Sequence, residues 1–112
     1  MNKQRRNELI KLMNLLYNVK NSIVNNGTSS EIVEQLKSII IELESVKWDE
    51  EYYMDNIPEN LQGGYRYQVA EDACDNLENA IDCLNEAIDD VNSNEMLIYI
   101  NKSINFINEA RV

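Results

Sequence analysis

Carboxylates are the groups in this chain with the number and spacing to do chemistry. Between Trp48 and Asn101 there are fourteen, against one basic residue, Arg66. Eight belong to one stretch: Glu71, Asp72, Asp75, Glu78, Asp82, Glu86, Asp89 and Asp90. Carboxylate pairs act as general acids and bases or hold hard cations, but they do so by converging in a pocket. These follow a helical repeat instead. Asp75, Glu78, Asp82, Glu86 and Asp89 are three, four, four and three residues apart, which stacks them in one row. All eight fall within an arc of about 120° on a helical wheel, opposite an apolar stripe. That pattern points to electrostatic recognition rather than catalysis.

Like charges four residues apart cost a few tenths of a kcal/mol each, and no basic residue is interleaved among them. The stretch carries about one charge per 4 Å of helix. A nucleic-acid strand presents one per ~3.4 Å. Such a row can occupy a basic groove built for a phosphate backbone. Two alternatives stand beside it. The row is a solvated outer face, or it pairs with the basic Lys3, Arg5 and Arg6 end of its own or a partner chain.

Other chemistries lack their residues. There is no His, which removes the commonest general base and zinc ligand. Cys74 and Cys83 lie nine residues apart, half a turn out of phase and ~13 Å apart along a helix. They cannot bond to each other within it. Two half-buried free thiols are expected, with an intermolecular disulfide as the alternative. Asp90-x-Asn92-x-Asn94 matches the start of a calcium loop, but Glu95 stands where Gly is needed and Asn101 where Glu is needed. Gly63-Gly64 lacks the Lys-Ser/Thr of a phosphate loop. No catalytic residue, metal ligand or cofactor site is expected, and the chain reads as a non-enzyme.

The elements that must position the row are helices. Apolar spacing predicts a first helix from about Gln4 to Asn25, with Leu9, Leu12, Met13, Leu16, Val19 and Ile23 inward. Gly27 ends it with a left-handed residue. Thr28 with Glu31, or Ser30, caps the second helix, from about Ser29 to Met54. Its stripe is Ile32, Leu36, Ile39, Ile40, Leu43 and Val46. Asp55–Gly64 is a connector in which Pro58 suits the first turn of a short helix. The third helix runs from about Tyr65 to Val91, with Ala73, Leu77, Ala80, Ile81, Leu84, Ile88 and Val91 inward. Ser93 is a plausible cap for the fourth, from about Asn94 to Ala110, with Leu97, Ile100, Ile104 and Ile107 inward. Nothing alternates with a period of two. The fold class is all-α: one domain over residues 1–112, an antiparallel bundle of about four helices made of two helical hairpins. The alanines let the third helix approach its neighbours closely.

A second apolar stripe appears on two helices. Ile41, Trp48 and Tyr52 align on the second, away from its main stripe, and Tyr99 and Phe106 lie off the main stripe of the fourth. They either pack within the monomer or mediate self-association as a symmetric homodimer.

Charge sets the class of partner. Residues 1–47 carry seven Lys/Arg against five Glu, residues 102–112 two against one, and the net charge is −10. This disfavours direct binding to nucleic acid or anionic membrane and favours proteins with basic surfaces. No apolar run reaches the ~18 residues of a membrane span, and the basic start leads into an amphipathic helix rather than a signal core. A cytoplasmic protein is expected.

Tyr53-Met54-Asp55-Asn56-Ile57-Pro58-Glu59-Asn60-Leu61-Gln62-Gly63, followed by Ala70-Glu71-Asp72-Ala73 and Leu77-Glu78-Asn79-Ala80-Ile81-Asp82, resembles a group of short acidic helical proteins. These are encoded mainly in phages and prophages of Gram-positive bacteria. The resemblance covers roughly residues 51–90; the connector carries most of its specificity. It implies a mobile-element origin and no catalytic residues. By analogy of class, small acidic phage proteins often inhibit host machinery or defence, CRISPR nucleases included, by occupying nucleic-acid-binding surfaces. Two functions are therefore expected. One is an anti-CRISPR-type inhibitor that binds a basic host protein through the acidic face. The other is a homodimeric assembly module whose acidity serves solubility.

Overall fold

The computed structural model describes residues 1–90 and 92–112. Four helices follow one another: α1 (Lys3–Asn26), α2 (Ser30–Asp55), α3 (Tyr65–Asp89) and α4 (Ser93–Ala110). A single 3₁₀ turn, Glu59–Leu61, sits between α2 and α3. Each helix packs on its neighbours in sequence, and α1 closes the ring against α4. The result is an antiparallel four-helix bundle, elongated to 52 × 21 × 18 Å, with α2 and α4 on one diagonal.

One core runs through the bundle because each helix contributes a stripe at the helical period. Leu9, Leu12, Leu16, Leu36, Leu43, Leu77, Leu84, Ile100 and Ile107 are all fully buried. Met13, Ile88 and Leu97, expected inward, are half-buried and pack against that core. Val91 lies outside the described residues. The expected alanines Ala73, Ala80 and Ala87 are buried on α3, and Ala70 joins them. Small side chains let backbones come together, and the most extensive packing in the bundle is that of α3 on α2 and α4. Ser103 Oγ on α4 donates to the Ala80 carbonyl at 3.1 Å, a buried cross-helix bond that a bulkier residue 80 would pry apart.

The helix ends differ from expectation in detail. Ser29 caps α2, accepting from the Ile32 N–H at 3.3 Å, while Thr28 turns its hydroxyl to Met96 Sδ at 3.5 Å. Neither Thr28 nor Ser30 is the cap. Asn92, not Ser93, caps α4, accepting from the N–H groups of Asn94 and Glu95. The longer Asx side chain one residue earlier reaches both first-turn donors. Gly27 has the expected positive φ of 75°, but its ψ of −174° is extended rather than left-handed helical. Its N–H still closes on the Ile23 carbonyl at 2.7 Å. Pro58 precedes the 3₁₀ turn as its cap rather than sitting in its first turn.

Candidate functional site

The buried alanine and leucine seam of α3 fixes which way the rest of that helix faces. Glu71, Asp72, Asp75, Glu78, Asp82, Glu86 and Asp89 are exposed, and Asp90 is half-exposed just past the helix end. The sequence placed all eight on one face, and the bundle leaves that face open to solvent. Three have partners among the described residues. Lys47 Nζ on α2 donates to Glu78, Gln68 Nε2 donates to Asp72 at 2.9 Å, and the Asn92 N–H donates to Asp90 at 2.9 Å. Glu71, Asp75, Asp82, Glu86 and Asp89 have no such partner among the described residues. Glu78, with lesser help from Glu51 and Glu44, raises the Lys47 pKa above its usual value, against the opposing effect of burial.

The basic end of α1 does not meet this row. Arg5 Nε donates to Glu50 at 2.6 Å, and Arg6 donates to the Met1 carbonyl at 2.9 Å. The alternative of an internal pairing between the row and Arg5 or Arg6 is thereby corrected. The acidic face also works against its own helix. No basic residue occupies the last turn of α3, where the negative end of the helix dipole favours one.

Glu50 was not foreseen. It is fully buried, on the same face as Leu43 and Val46 and one turn beyond the point where the apolar stripe was expected to end. Its spacing from them was the signal, seven and four residues on, but a carboxylate at a core position reads as a break in the stripe. Arg5 satisfies one oxygen; the other has no hydrogen-bond partner, with the Met1 ammonium 3.7 Å away. The Arg5 guanidinium also lies 5.5 Å from the centre of the Tyr53 ring. One side chain thus ties α1 to the last turns of α2.

The second apolar stripe divides. Ile41, Trp48 and Tyr52 are 66%, 61% and 74% exposed, directly opposite the core side of α2. Packing within the monomer is therefore not their role. Tyr99 and Phe106 are half-buried and pack against the core, so for them it is. The two groups sit on diagonal helices and do not form one surface. Lys47 joins α2 to the acidic face through Glu78.

Both cysteines are free, Cys74 buried and Cys83 half-buried. Burial first, then the carboxylates of Glu50, Glu51 and Asp75, push the Cys74 thiol up to about 12. Burial also raises Cys83, while Lys102 pulls it the other way. Neither has the electropositive setting of a reactive thiol. Among the described residues no group of three or more His, Cys, Asp or Glu could hold a metal ion, and no helix is long and apolar enough to cross a membrane.

Protein-family models, curated proteins and solved structures offer no match to this chain.

Proposed function

We propose that this chain is a non-enzymatic inhibitor that docks its α3 face on a basic, nucleic-acid-handling protein. The observation that carries the reading is the row itself. Eight carboxylates share one accessible face at near-phosphate density, and one of them is neutralised by a basic side chain among the described residues. Surfaces selected for solubility mix both signs. A row that opposes its own helix dipole and repels itself sacrifices stability, and occupying a cationic groove would recover it. Trp48 and Tyr52, exposed on the neighbouring helix, are aromatic side chains of the kind that protein interfaces favour. On the resemblance of the connector to phage-encoded proteins, a CRISPR effector inside the bacterial host cell is the leading partner.

Replacing Asp75, Glu78, Asp82 and Glu86 together by Asn and Gln tests this. The native chain should retain a host protein that added nucleic acid displaces, with affinity falling steeply as salt rises. The neutralised chain should lose it while keeping its helicity. Retention that survives neutralisation would sink the proposal.

The exposed α2 stripe favours a second reading, a homodimer formed through Ile41, Trp48 and Tyr52. Sedimentation at tens of micromolar separates the two: a monomer there removes the dimer.

A further inference from the structure

The end of the bundle where α2 passes into α3 holds a hollow that the acidic row does not explain. It has a volume of about 400 Å³ and is lined chiefly by Tyr53, Ile57, Pro58, Leu61, Tyr65 and Arg66. That is the size range of pockets that enclose small organic ligands. Its walls are apolar, yet the connector does not fold them inward. Leu61 is 55% exposed and Tyr65 81% exposed. Large apolar groups arranged around a space, rather than filling it, leave their contact area for something else.

The one charged side chain in the lining is basic, beside the neutral amide of Asn56. Arg66 is the single basic residue between Trp48 and Asn101 and has no salt-bridge partner among the described residues. Gly64 begins α3 without a side-chain cap, so the first-turn N–H groups also face outward as donors. A second hollow of about 290 Å³ shares Tyr53, Tyr65 and Arg66 with the first and adds Arg6. Asp55 and Glu59 belong to the same connector but line neither hollow.

We propose that this connector hollow binds a small aromatic carboxylate, its ring against Tyr53, Pro58, Leu61 and Tyr65 and its carboxylate on Arg66. The apolar walls select a ring. The unpaired guanidinium selects an anion, and its planar fork matches a carboxylate in two-point contact. This site is independent of the function proposed for the α3 face and stands or falls without it.

Two probes with the same ring isolate the charge: indole-3-acetate and its neutral amide, indole-3-acetamide. Titration of the ¹⁵N-labelled full chain should move the amide signals of Gly64, Tyr65 and Arg66 saturably, with the acid bound about threefold tighter than the amide. Arg66→Gln should bring that ratio to about one while ring binding persists. Leu61→Asp should weaken both probes, with signals elsewhere unchanged as the check on folding. Absence of saturable shifts, shifts centred elsewhere, equal affinities for the two probes, or a ratio that survives Arg66→Gln would each overturn the proposal.

Discussion

The outer face of α3 and the end of the bundle around Glu50 handle charge in opposite ways. On α3, carboxylates stand in water, mostly unpaired, on a helix that gains nothing from them. At the bundle end a single carboxylate is fully buried and held by a guanidinium that also covers an aromatic ring. Exposed charge costs little per residue and is free to meet a partner. Buried charge is costly to leave alone and fixes one arrangement of the helices. The charge that maintains the fold is therefore separate from the charge available for binding, and the two can be altered independently.

The sharpest way to break that separation is at Arg5. Arg5→Ala leaves Glu50 in the core with only the Met1 ammonium 3.7 Å away and should cost several kcal/mol, at most about 3–5, read by urea unfolding. Adding Glu50→Leu should return most of it, giving a large coupling in the double-mutant cycle. If Arg5→Ala costs under about 1 kcal/mol, as an exposed pair would, the contrast collapses.

Alkaline pH gives a second test. Unfolded Cys74 ionises near 9.0, but in the fold its thiol holds its proton up to about 12. The unfolded state binds fewer protons in that window, so stability falls as pH rises through it. Lys47, also raised, acts in the same direction above 10.5. Cys74→Ala should flatten the fall of melting temperature above about pH 9, and an unchanged slope would contradict the assignment.

A smaller effect of opposite sign is expected on the row. Neutralising Asp75, Asp82, Glu86 and Asp89 while keeping Glu78 with Lys47 should stabilise the chain by several tenths of a kcal/mol at low salt, an effect that fades as salt rises. Smallest of all, Trp48→Ser should change monomer stability by less than about 0.5 kcal/mol, because the indole is 61% exposed. A larger loss at micromolar concentration would mean that Trp48 is covered by a second copy.

The bundle and the orientation of α3 were legible because a period of 3.6 sorts apolar from acidic residues along its whole length. Leu77 and Leu84 facing inward place Asp75, Asp82 and Glu86 outward with no further information. Glu50 was illegible for the complementary reason. Periodicity places its side chain inside, residue type places it outside, and the deciding partner, Arg5, lies forty-five residues away. Competition among adjacent Asx and hydroxyl side chains hid the caps, since Thr28, Ser29 and Ser30 offer nearly the same oxygen. The connector hollow was illegible altogether, because Tyr53 and Arg66 become neighbours only when the chain reverses between α2 and α3.

The spacing of the row carries a consequence for the shape of what it can enter. From Asp75 to Asp89 the repeat averages 3.5 residues, so the carboxylates drift by only about 40° over some 21 Å. A phosphate strand of a duplex winds through well over half a turn in that distance, at about 10 base pairs per 34 Å. A straight rail follows such a path for a few charges and then leaves it. An extended single strand has no such winding. On the function proposed above, the row matches a linear channel that threads one strand, and single-stranded oligonucleotides should displace the chain from its partner more effectively than duplexes of equal charge.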